Sequence, residues 1–168
     1  MEIFCHDDRI IEVPYDSLTG ISLDNLNLHR AQLEGIDLSN SSFENANLRS
    51  AFLFRAKMKD CNLCAANLIV ADLRETDLSN ANLKKCIAYS TRFENANLQN
   101  ATFEGADIGD ANFKNANLQG ANLNCIGVER AIFENAVFDD NTIWPNYFKA
   151  EEYGAIIKKK EVKLAEGL

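Results

Sequence analysis

The chain has 168 residues, enough for one domain with a continuous core, and its 46% hydrophobic content is that of a globular protein rather than a disordered one. Seventeen basic against 25 acidic side chains leave a net charge of −8, which disfavours direct binding to nucleic acid or to an anionic membrane, since both select a basic face. No run approaches the roughly 18–20 consecutive apolar residues of a membrane span.

The start, "MEIFCHDDRIIEV", lacks the charged-then-apolar design of a signal peptide, and the expectation is an intracellular, cytoplasmic protein. Five cysteines, an odd number at scattered spacings, suggest neither a disulfide framework nor a zinc site. Residues 1–17 form the expected N-terminal cap of a repeat that begins at Leu18. Ile11 and Val13 already keep the repeat's frame, which points to a partial first coil, with residues 1–10 folded over or beside its open end.

The repeat itself is plainest in "NANLQNATFEGADIGDANFKNANLQGANL", residues 95–123. Centres five apart run from Leu18 through Leu73, Leu98 and Phe113 to Ile143, giving 26 pentapeptides without an insertion, each with an apolar centre. Two residues before each centre the side chain is small: of 22 such positions from Ala31 to Ala136, 15 are Ala, the others being Ile36, Ser41, Cys61, Thr76, Cys86, Thr91 and Ile126. Between the two stands mostly Asn or Asp, as at Asn47, Asn67, Asp77 and Asn97.

An α-helix does not explain a period of five, because each step turns about 140° beyond a full circle and the centres would wander around the cylinder. A flat strand does not either, because an odd step turns every second centre to water. The conflict vanishes if the chain turns a corner once per pentapeptide. A short extended piece then points the small residue and the centre inward, and Asn, Asp, Ser and Gly make the corner. Coils of this kind must stack, since none buries its own interior. Both prolines, Pro14 and Pro145, lie outside the repeat, as a ladder that needs its amide hydrogens requires.

One interior stretch is irregular. In "KKCIAYSTR", residues 84–92, Ala88 replaces a bulky centre and Ile87 and Tyr89 fall on outward positions. Ile69 and Val70, and Phe52 with Phe54, also fall on outward positions. Two readings are open for these six residues. They form an exposed apolar patch that binds a protein partner, or Tyr89 or Ile87 turns inward to fill the space left by Ala88.

Residues 144–168 leave the pattern. Trp144 and Phe148 are read as a lid on the last coil, and 149–165 as a helix with Tyr153, Ile156, Ile157 and Leu164 on one side, a reading that Gly154 weakens.

The A-[DN]-[LF]-x-x pattern, as in "ANLQGANLN" and "ADLRETDLSNANLKK", resembles the pentapeptide-repeat family over residues 18–143. The resemblance implies an all-β solenoid, a right-handed quadrilateral parallel β-helix. Four pentapeptides per coil then give about 6.5 coils, and at roughly 4.8 Å per coil a rod about 30 Å long. In that family a C-terminal segment can mediate dimerisation, which implies a possible homodimer here.

No catalytic or cofactor site assembles from the sequence. His6 and His29 read as surface histidines, Cys61 and Cys86 as core filler, and Cys64 and Cys125 as outward residues too far apart to bond. No phosphate-binding loop, nucleophile elbow or metal-ligand spacing occurs. The expected function is a non-catalytic protein-binding scaffold with no cofactor. The alternative that the resemblance supplies is a DNA-mimicking protein that binds gyrase and protects it from quinolones or toxins. Residues 18–143 hold sixteen acidic and eleven basic side chains, a net −5. Duplex DNA of about 30 Å carries roughly 18 negative charges. The repeat is too weakly charged for close mimicry.

Overall fold

A computed structural model describes residues 1–6 and 8–159 of the chain. Every fifth residue from Gly20 to Gly120 has a left-handed backbone, with φ between 53° and 70°. At these corners the amide three residues after the centre donates to the centre's carbonyl, as Ala31 does to Leu28 at 3.0 Å and Ala96 to Phe93 at 3.0 Å. A turn closed in this way with positive φ at its third residue is type II, which explains why Gly, Asn and Asp hold most of these third positions.

The residue before each centre pairs with its equivalent twenty positions on, so four corners close each coil. Four ladders result, running Asp37–Lys57–Asp77–Asn97–Asn117–Val137 on side one and Ser22–Ser42–Asn62–Asn82–Thr102–Asn122 on side two. Side three is Asn27–Asn47–Asn67–Ile87–Asp107–Ile126, and side four is Gln32–Phe52–Asp72–Arg92–Asn112–Ile132.

Amide bookkeeping shows why Asn and Asp precede the centres. In the unit around Leu48, Ala46 N–H donates within the turn, Asn47 N–H to Leu26 below, and Leu48 and Ser50 N–H to Asn67 and Ile69 above. Only the Arg49 amide lacks a backbone acceptor, and the Asn47 side-chain oxygen accepts it at 3.2 Å. The same bond recurs from Ser39 to Asp37, Ile69 to Asn67 and Lys114 to Asn112. Asn side chains also donate along the ladders, as Asn82 does to Asn62 at 2.9 Å and Asn97 to Asp77 at 3.0 Å.

The centres fill the tube. Leu73, Leu98 and Phe113 are fully buried. Phe93 stacks on Phe113 at 4.8 Å between centroids and Phe113 on Phe133 at 5.2 Å, with Phe103 edge-on to the first two. Burying each centre stabilises by roughly 1.5–3 kcal/mol. The polar side chains at small inward positions are satisfied by carbonyls, Ser41 donating to Leu18 at 2.6 Å and Thr91 to Leu68 at 2.7 Å. Ala88 is fully buried while Ile87 and Tyr89 stay outside, so the inward flip does not occur. In that coil the next centre is Phe93, whose bulk stands where lower coils carry Leu53 and Leu73.

Two departures from strict periodicity correct the sequence frame. Asp107 pairs with Ile126, 19 residues on, so Cys125 takes the inward place expected of Ile126, and Ile126 is 61% exposed. Cys125 is therefore buried rather than outward. The lost residue is recovered in the 3-10 turn Val128–Arg130, whose first side chain still reaches the core. Gly127 (φ 79°) permits the tightening, because a Cβ there would lie 2.8 Å from the Gly109 backbone. Conversely, Asn122 pairs with Ile143, 21 residues on. The extra residue lies in the loop tied by Asp139 to Asn141 and Thr142, so Ile143 faces solvent. Thr142 and Trp144 turn inward instead, the first donating to Leu118, the second packing edge-on against Phe133 and Phe138.

At the N-terminal end, β1 (Glu2–Phe4) pairs antiparallel with β2 (Ile10–Glu12). Ile11 thus belongs to a hairpin, not to a first coil. The hairpin lies on the free ladder edge, where Cys5 bridges Ala31 and Gln32 N–H donates to Phe4. At the other end, β3 (Val137–Phe138) is joined in parallel by β4 (Ile156–Ile157). Between them lies a 3-10 turn, Ala150–Tyr153, closed by Gly154 at φ 84°. A long helix over 149–165 is therefore not formed through residue 159, and Leu164 lies outside the described residues. Phe148 packs against Phe133 and Trp144 beneath this segment.

Val70 is the sole β-branched residue among the left-handed corners from 20 to 120, and it is half exposed. Such backbone costs about 1–2 kcal/mol for a side chain with a Cβ, and Asn relieves part of it. Val70→Asn is expected to stabilise by about 1 kcal/mol, seen as a thermal midpoint raised by roughly 2–4 °C. A lowered midpoint would show that Val70 contributes packing rather than strain. Ala88→Leu should destabilise by about 1–3 kcal/mol through overpacking. Adding Phe93→Leu should recover part of that loss, and additive losses in denaturant melts would show that the two centres do not share volume.

Candidate protein-binding surface

Ile69 and Tyr89 occupy equivalent corner positions one coil apart on side three, with Val70 and Ile87 beside them. Backbone bonds fix this arrangement, Leu68 N–H donating to Ile87 at 2.7 Å and Val70 N–H to Tyr89 at 3.1 Å. Val70, Ile87 and Tyr89 are 50%, 44% and 41% exposed, and Ile69 is half-buried. Ile87 stands in a ladder where Asn67 and Asp107 accept the amides of Ile69 and Gly109. An isoleucine has no acceptor, so the Tyr89 amide loses the bond that its neighbours make. The Tyr89 ring reaches Asp110, and a hydrogen bond to that carboxylate pushes the phenol above its ordinary pKa.

Phe52 and Phe54 are placed differently. Phe52 lies half-buried on side four under the N-terminal hairpin, its ring 4.5 Å from that of His6. Phe54 stands at the far corner of side four, also half-buried, with the Arg55 and Arg74 guanidiniums 4.7 and 5.3 Å from its ring centroid. The structure thus gathers Ile69, Val70, Ile87 and Tyr89 on one face and sets Phe54 across the width of side four from them.

Directly below this face is a feature that the sequence reading did not single out. His29, Arg30, Asn47, Arg49, Ser50 and Phe52 line a solvent-open cavity of about 600 Å³. The His29 ring is held by the Arg49 carbonyl at 2.8 Å. The signal was available: counted at a step of twenty, His29, Arg49, Ile69 and Tyr89 form one column, and Arg30, Ser50 and Val70 form the next.

Three of the cysteines are held as thiols by burial. Burial pushes the Cys61 and Cys125 thiols up to about 12, and burial likewise raises Cys86. Among the described residues no group of His, Cys, Asp and Glu is arranged to hold a metal ion, and no helix is long and apolar enough to cross a membrane.

No curated protein matches the chain in sequence. Among solved structures it is similar to HetL, a pentapeptide repeat protein involved in heterocyst differentiation regulation from the cyanobacterium Nostoc sp. strain PCC 7120. The identity is 23% over 83% of this chain and 82% of that one, with a TM-score of 0.47. It is also similar to a pentapeptide repeat protein of the Arabidopsis thaliana thylakoid lumen, at 26% identity over 64% and 72% of the two chains and a TM-score of 0.42. A third is QnrB1, a plasmid-mediated fluoroquinolone resistance protein, at 16% identity over 83% and 92% and a TM-score of 0.39. The family model for pentapeptide repeats in eight copies matches residues 27–63, and that for a pentapeptide repeat region matches residues 56–143. With corners every five residues and ladders every twenty, the chain belongs to the pentapeptide repeat family.

Proposed function

We propose that the chain is a non-catalytic scaffold that binds another protein through the face of Ile69, Val70, Ile87 and Tyr89. The observation that carries this reading is Val70. A β-branched side chain is held at φ 58° and left half exposed, where the other corners mostly use Gly, Asn or Asp. Backbone strain spent on an exposed apolar atom group contributes nothing to the core, and a bound partner supplies the missing burial. Ile87 supports the same reading, because it gives up the amide acceptor that Asn27, Asn47, Asn67 and Asp107 supply in its ladder.

The paired charges weigh against imitation of DNA. Lys84 with Glu104, Lys114 with Glu134 and Arg55 with Glu75 place cations and anions side by side across coils, where a duplex carries uniform negative charge.

Ile69→Ser combined with Tyr89→Ser tests the proposal in affinity capture from the source cell, alongside the wild type. Loss of a captured protein with an unchanged melting temperature is the expected result. Equal capture by both forms would remove this face from the binding site, and a large fall in melting temperature would make its role structural.

A further inference from the structure

We infer that the cavity lined by Arg30 and Arg49 is a carboxylate anchor, so that the partner presents an acidic peptide segment whose neighbouring apolar side chain rests on Ile69 and Val70. This rests on the protein-binding reading and specifies the chemistry of the partner.

Charge pairing singles out the cavity. The solenoid carries six arginines, and four meet carboxylates: Arg55 with Glu75 at 2.7 Å, Arg74 with Asp72 at 2.6 Å, Arg92 with Asp72 at 3.5 Å, and Arg130 with Asp110 at 3.8 Å. Among the described residues Arg30 and Arg49 have no carboxylate within ion-pair distance. They are also neighbours, for Arg30 N–H donates to the Arg49 carbonyl at 3.0 Å. Two unneutralised guanidiniums on adjacent coils of a chain with net charge −8 form a local positive site. Guanidinium groups bind carboxylates through paired, charge-assisted hydrogen bonds. The Asn47 and Ser50 side chains and the His29 ring complete a polar lining, and Phe52 gives it one apolar wall.

Continuity with the apolar face selects a peptide. Ser50, in the cavity lining, donates its amide to Ile69 at 2.9 Å, so the two surfaces share a backbone ladder. A cavity open to solvent encloses too little of a small anion to hold it firmly, and a segment that also covers Ile69 and Val70 adds apolar burial. From the Arg30 coil to the coil of Ile69 and Val70 is about 10 Å along the axis, the span of roughly three extended residues. The acidic and apolar residues of the partner therefore stand two or three positions apart. A long polyanion is disfavoured, because the chain as a whole carries a net charge of −8.

Fluorescein-labelled ten-residue peptides in a Gly/Ser background test this by anisotropy. One carries Asp-Asp and, after two spacer residues, Leu-Phe; a second has Asn-Asn for Asp-Asp; a third has Ser-Ser for Leu-Phe. Each is titrated with wild type, with Arg30→Asn/Arg49→Gln, and with Ile69→Ser/Tyr89→Ser. Asn suits the left-handed backbone at position 30, where φ is 58°, and circular dichroism melts check folding. The expected result is binding of the first peptide alone, weakened tenfold or more by either double variant and by about 0.3 M salt.

Equal binding of the Asn-Asn peptide, lost only with Ile69→Ser/Tyr89→Ser, would overturn the carboxylate anchor while leaving the apolar face as a binding surface. Binding that ignores the apolar variant, or displacement by inorganic phosphate as effective as by unlabelled peptide, would assign the cavity to a free anion and overturn the joint site. Self-association lost with Arg30→Asn/Arg49→Gln would make a second copy of the chain the occupant. No binding by any peptide would also overturn the inference, and the capture experiment would then judge the scaffold reading separately.

Discussion

Each coil is held by backbone amides that find acceptors while the chain turns a corner. Three amides reach neighbouring coils, one closes the type II turn, and one depends on the side chain before the centre. This sets the sequence from outside as firmly as packing sets it from inside. Asn and Asp recur because their oxygen reaches two residues along the backbone, and the left-handed third position favours Gly and Asn because a Cβ there is strained. The interior then has little freedom, since a tube of this bore takes one large and one small side chain per corner.

The same constraint decides what was readable. The ladder of centres followed from the sequence because period five fixes which side chains share a direction, and Leu73, Leu98 and Phe113 are buried accordingly. The register breaks near Ile126 and Ile143 were hidden because isoleucine satisfies a hydrophobic pattern on either face. Better clues lay next to them, in Cys125 as the small residue, in Gly127 where the backbones touch, and in Thr142 with Trp144 as a small–large pair one residue out of frame. The N-terminal hairpin escaped because a three-residue strand carries too little alternation to reveal its partner, and covering the ladder edge is a tertiary demand.

The outer surface was legible only in part, for a related reason. Exposed positions in one coil are far apart in sequence from those they touch in the next, so a surface must be read at a step of twenty. Read so, Ile69 and Tyr89 come together, and Phe54 moves away to its own pair of guanidiniums. Apolar character alone did not separate them. Distinguishing Phe52 and Phe54 from Val70 required their covers, the His6 ring in one case and arginines in the other.

A solenoid of this kind places function where it departs from its own rule. Most outward positions are occupied by residues that do local work, closing an amide, easing a corner or pairing a charge across coils. Val70 and Ile87 do none of this, and Arg30 and Arg49 lack the carboxylates that neutralise the other arginines of the repeat. These four residues lie at or beside one corner, over four successive coils linked through Ser50 and Ile69. A chance exception to the pattern would fall on any side. Exceptions of two different kinds, strain and unpaired charge, meet on one corner, and the proposed partner, which supplies both burial and an anion, is framed on that meeting.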